Sequence, residues 1–143
     1  MESFTTGFLR ASLLWLVTGV SLGVAMAMHP AWAIYRTAHL HLLLLGFVTM
    51  MISGVAYHVF PRFSATPLFS PRLARAHLVL ANVGVAAMAI GFGWRLHDPT
   101  PGGALLGAGA AASAAGAYLL AWNLWKTLDR AAQPVTRIGM RPG

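Results

Sequence analysis

Charged residues divide the sequence into four long apolar stretches: Ala11–Met28 after Arg10, Thr37–Pro61 between Arg36 and Arg62, Ala76–Trp94 between Arg75 and Arg95, and Pro99–Trp125 ahead of Lys126. An α-helix rises about 1.5 Å per residue, so about 20 residues cross a hydrocarbon layer of about 30 Å, and each stretch is long enough. None alternates in the manner of a membrane-barrel strand, and backbone polar groups in lipid must bond within their own segment; helices are the remaining solution. The pattern predicts an all-α integral membrane four-helix bundle. Its spans fall at about 8–29, 36–60, 73–95 and 102–126, within a domain covering 1–128 that is followed by a polar tail, 129–143. Proline marks the breaks: Pro30 follows the first run, Pro61, Pro67 and Pro71 fill the second connection, and Pro99 and Pro101 open the fourth run.

Composition agrees with this pattern. The chain is 57% hydrophobic and 9% charged with a mean hydropathy of +0.66, values suited to lipid rather than water as the solvent. Eight of the ten Lys and Arg side chains lie at the N-terminus, the second connection and the C-terminus, against Arg36 and Arg95 on the other side, so both termini are expected to be cytoplasmic. The formal charge of +7 therefore reads as a topology signal and not as a nucleic-acid patch. Ala31-Trp32-Ala33 has the form of a signal-peptide cleavage site, but Glu2 beside Arg10 in the leading region favours a first helix that stays in place.

What the chain does not contain narrows its chemistry. The three acids, Glu2, Asp98 and Asp129, fall outside the apolar runs, which argues against catalysis by buried paired carboxylates. There is no cysteine, so thiolate metal sites, iron–sulfur clusters and covalent c-type haem are excluded.

Six histidines remain as candidate chemistry: His29, His39, His41, His58, His77 and His97. His29 and His97 fall in short connections. His39 heads a helical row through Leu43, Gly46, Met50, Ser53 and Tyr57, the mixture of small and polar residues expected on a protein-facing stripe. His41 points about 200° away and continues through Leu45, Val48, Ile52 and Val59, a lipid-facing or oligomer-facing stripe. His77 heads Ala81, Gly84, Met88 and Gly91, also small. A histidine inside a membrane helix is costly without a partner, so His39 is either a metal or haem ligand or a polar tie between helices. His58 and His77 form a second candidate pair, for a transition metal, about 25 Å away along the membrane normal. Gly46 and Gly54 are the positions at which a flat cofactor has room beside the backbone, with methionines such as Met50 as lining.

Close packing is expected from small residues, at Gly19-x-x-x-Gly23 in the first helix and at Gly103, Gly107, Ala111 and Ala115 in the fourth, the latter serving either the protomer or a homodimer face.

The second segment also carries a resemblance. Tyr35-Arg36-Thr37-Ala38-His39-Leu40-His41, then Gly46, then Gly54-Val55-Ala56-Tyr57-His58-Val59-Phe60-Pro61-Arg62 resembles helix II of subunit I in haem–copper oxidases and nitric oxide reductases. Leu68-Phe69-Ser70-Pro71-Arg72-Leu73 is similar to the following loop in those proteins, and the general pattern is shared by NnrS-type nitric oxide tolerance proteins. The resemblance implies that His39 ligates a b-type haem, with His41, or His39 of a second copy, opposite. It further implies electron transfer or binding of nitric oxide or oxygen, in a multi-pass protein of the bacterial cytoplasmic membrane that works as a homo-oligomer with a redox partner. Gly46, Met50 and Tyr57 are then expected near the cofactor. The later helices that carry the copper ligands of the oxidases have no counterpart here, so reductase activity by this chain alone is not expected. The competing readings are a non-haem assembly partner of a respiratory complex and a histidine-based metal-binding protein.

Overall fold

The computed structural model describes residues 2–132, and no strand occurs among them. Among the described residues, four helices are long and apolar enough to cross a membrane: α1 (Ser3–Met28), α2 (Pro30–Phe63), α3 (Pro71–Trp94) and α4 (Pro99–Ala132). The chain is thus an all-α bundle, as its hydrophobic pattern predicts. Residues 133–143 of the expected tail lie outside the described residues. Residues 129–132, expected in that tail, belong instead to α4, whose 34 residues span about 51 Å.

The long α2 is not uniform. Pro30 opens it at a first-turn position where a missing N–H costs nothing, in a 3₁₀ stretch over Pro30–Tyr35. An α-helical segment, Arg36–His41, carries both candidate histidines, and a π-helical segment, Leu42–Thr49, follows before α-geometry resumes at Met50. Pro61, expected in the connection, sits inside the last turn of α2, which closes at Phe63.

Two antiparallel contacts assemble the bundle, and both depend on glycine. Along α1 and α2, Leu43 fills the space beside Gly19, the His39 ring that beside Gly23, Trp15 that above Gly46, and Phe8 with Leu9 that above Gly54. Between α3 and α4 the backbones themselves meet. A Cβ on Gly109 would stand 2.7 Å from the Met88 nitrogen, and one on Gly91 would stand 2.7 Å from the Leu106 nitrogen. In lipid there is no hydrophobic gain in bringing helices together, so this close approach supplies the contact energy.

The buried residues of α4 are Gly102, Gly109, Gly116, Asn123 and Thr127, the first four at seven-residue intervals. The four-residue stripe Gly103, Gly107, Ala111 and Ala115 is therefore not the face that packs within the protomer: a Cβ on Gly103 or Gly107 would meet nothing within 4 Å. Antiparallel helices that run nearly alongside one another keep in register every seven residues, and that spacing overrode the more conspicuous stripe.

Polar ties add direction. Trp15 Nε1 donates to Asn82 Oδ1 (3.0 Å), joining α1 to α3. At the end of the bundle that holds the α2–α3 connection, Asn123 pairs twice with the backbone of Ser70, accepting from its N–H and donating to its carbonyl, each at 2.9 Å. Thr127 accepts from the Phe69 N–H at 3.0 Å. These bonds give α4 a reason to continue past the expected end at 126.

Replacement of Gly109 by Ala is expected to cost about 1–3 kcal/mol through overpacking against the α3 backbone. Gly107→Ala should stay within about 0.5 kcal/mol of the parent. Thermal unfolding of the two variants in detergent distinguishes them, and equal losses would contradict the assigned face.

Candidate functional site

His39 stands one turn into the α-helical part of α2, half-buried, with its ring against Gly23 of α1. Its Nδ1 lies 2.8 Å from the carbonyl oxygen of Gly19. A carbonyl only accepts, so Nδ1 carries a proton, and in the neutral imidazole the lone pair then resides on Nε2. A backbone bond of this kind at one ring nitrogen fixes the tautomer and the orientation of an imidazole that ligates metal through the other. The donor chemistry at His39 therefore fits a residue that would hold a haem iron.

His41 is oriented differently. Its Nδ1 bonds the carbonyl of Thr37 in its own helix (2.8 Å), and its ring packs 4.7 Å from that of Phe92 on α3. Residues two apart on a helix do not face each other, and these two rings address α1 and α3 respectively, so they do not share one iron within a chain.

Of the other residues expected beside a cofactor, Gly46 is covered by Trp15, and Met50 and Tyr57 belong to the buried core. Tyr57 lies eighteen residues beyond His39, about 27 Å along the helix. The half-open space between α2, α3 and α4, lined by residues including Ser53, His77, Val85 and Ser113, measures about 70 Å³. Cofactor and ligand sites occupy about 300–1,000 Å³, so a porphyrin does not fit inside the bundle.

At the opposite end, the two remaining candidates are engaged separately. His77 is 3% exposed, hydrogen-bonded through Nδ1 to the Tyr57 hydroxyl (3.1 Å), with the Phe8 ring 4.7 Å away and Phe4 packed edge-on to Tyr57. His58 accepts at Nδ1 from Arg62 Nη1 (2.9 Å). Among the described residues no group of three or more His, Cys, Asp or Glu side chains comes together as a metal site. All three acids are exposed.

Several determinants escaped the sequence reading: the Gly19 carbonyl, the Phe4–Phe8–Tyr57–His77 box, and the ties made by Asn82 and Asn123. The two asparagines carried a signal, since each is a lone amide within an apolar run. A backbone acceptor carries none.

Four apolar helices with a backbone-anchored imidazole near one end define a multi-pass membrane protein. The sequence profile of cytochrome c and quinol oxidase polypeptide I matches residues 3–141, and the chain belongs to that family, in which it resembles the N-terminal helices of haem–copper oxidase subunit I. No individual curated protein matches the sequence.

Removing the Tyr57 hydroxyl leaves His77 Nδ1 buried without its partner, so Tyr57→Phe is expected to lower stability by about 1–3 kcal/mol. His41→Phe, at a partly exposed ring bonded only to its own helix, should change stability by less than about 1 kcal/mol. Unfolding midpoints of the purified variants check the ranking; the reverse order would show that the Tyr57–His77 pair is not a support.

Proposed function

We propose that the protein binds b-type haem at the face formed by α1 and α2, where His39 would hold its iron, and serves electron transfer or the binding of a small gas in a bacterial cytoplasmic membrane. The observation that carries this reading is the Nδ1 bond from His39 to the Gly19 carbonyl, which leaves Nε2 as a lone-pair donor on a half-buried face. The haem, when bound, supplies one-electron redox chemistry or a gas-binding position.

The chain's own residues do the positioning. Gly23 gives the imidazole room to lie against α1, and a Cβ there would stand 2.8 Å from its Cε1. Gly19 holds the proton at Nδ1. Because His41 faces α3, we assign His39 of a second copy as the other residue that would hold the haem iron. A two-fold axis would bring the same imidazole to the same depth. The unpartnered stripe Gly103, Gly107, Ala111 and Ala115 adds a second surface suited to close helix contact between copies. A second reading, an assembly partner without haem, is favoured by the same His39–Gly19 bond taken as a tie between helices.

Absorption spectra of detergent-purified protein, expressed with haem supplementation, separate the two. Wild type is expected to show a Soret band that His39→Ala loses and His41→Ala keeps. Gly23→Ala retains the imidazole but displaces it, and should lower haem occupancy without a comparable loss of fold. A band of equal intensity in His39→Ala, or none in wild type, would overturn the haem assignment.

A further inference from the structure

At the basic end of the bundle, a half-open groove of about 440 Å³ lies between the start of α1, the last turns of α2 and the segment leading into α3; its lining includes Glu2, Tyr57, His58, Pro61, Arg62 and Pro67. Its volume falls within the range of small-molecule sites. We propose that this groove binds the phosphate of an anionic phospholipid headgroup, a role separate from His39 and independent of whether haem is bound.

The donors come from one pair of side chains. Arg62 uses Nη1 twice, toward His58 Nδ1 at 2.9 Å and the His58 carbonyl at 2.8 Å. A guanidinium has five N–H donors in a fixed fork, so its Nε and Nη2 protons remain for an oxyanion, which suits the bidentate recognition of phosphate. Because His58 Nδ1 accepts from arginine, the ring proton is on Nε2, which becomes a second donor beside the first. The Arg62–His58 pairing thus holds two donors on one wall, and Pro61 and Pro67 stiffen the rim.

Two further features select a lipid over a free phosphate. Val59, Phe60, Phe63 and Leu128 line a neighbouring apolar groove of about 420 Å³ beside the same last turns of α2, and Phe63 is 90% exposed. Acyl chains can cover that surface while the phosphate meets Arg62. The same end also gathers Arg10, Arg72, Arg75, Lys126 and Arg130, while of its acids Asp129 is paired with Lys126 at 3.7 Å. Such a surplus of cations next to a membrane attracts anionic headgroups. Glu2, exposed at the lip of the groove, opposes the anion and weakens it.

Native mass spectrometry of the full-length protein in detergent, titrated with phosphatidylglycerol or phosphatidylcholine, tests the proposal. Wild type is expected to retain phosphatidylglycerol about fivefold over phosphatidylcholine, a preference lost in Arg62→Gln. Arg72→Gln removes one exposed charge from the same end but outside the groove, and should keep the preference. Glu2→Gln, at an exposed position that does not threaten the fold, should raise it. Equal retention of the two lipids, equal loss in Arg62→Gln and Arg72→Gln, or no gain in Glu2→Gln would overturn the site. Inorganic phosphate binding to wild type but not to Arg62→Gln, with no phosphatidylglycerol retained, would overturn the lipid assignment in favour of the free anion.

Discussion

The contact between the His39 imidazole and the Gly19–Gly23 stretch of α1 is the interaction on which the functional account rests. Helices in lipid gain little from apolar association and are held by close packing and polar bonds. Gly23 provides the first by giving the ring space, and the Gly19 carbonyl provides the second. That carbonyl lies in the middle of α1, where it already accepts the helical bond from four residues on; its second lone pair takes the imidazole proton. The result is a ring of defined tautomer in a bundle too tightly packed to hold a porphyrin inside.

The two ends of the molecule are built differently. The basic end is pinned by Tyr57–His77, Asn123–Ser70 and Thr127–Phe69, with aromatic rings from α1 closing the box. At the His39 end, one imidazole–carbonyl bond joins α1 to α2, and α2 enters through a 3₁₀ segment and continues through a π segment. Departures from α-geometry of this kind gather at functional sites, where they re-aim a helix face. In the proposed reading a second copy completes the site at this end, which carries fewer ties between helices.

Much of this was legible in the sequence because lipid imposes simple rules. Charges at the ends of apolar runs located four helices, and the row Gly46, Met50, Ser53 and Tyr57 is buried as its spacing required. In the His41 row, Val48 and Ile52 are exposed while His41, Leu45 and Val59 are half-buried. What could not be read was which stripe of α4 packs, since Gly103–Gly107 and Gly102–Gly109 are both small-residue patterns and only the crossing geometry chooses between them. Nor could the sequence show that Trp15 occupies the space above Gly46: glycine marks a close approach without naming what approaches. The pairing of His77 with Tyr57 instead of His58 follows from helix rotation, which a 3.6-residue repeat leaves uncertain across the π segment.

The central claim is that His39 presents an unprotonated Nε2. Side-chain nitrogen NMR of protein labelled with ¹⁵N-histidine and prepared without haem, with His39 assigned by comparison to His39→Gln, measures this directly. The expected result is a proton on Nδ1 and a bare Nε2. A His39 signal with the proton on Nε2 would contradict both the bond to Gly19 and the ligand role built on it.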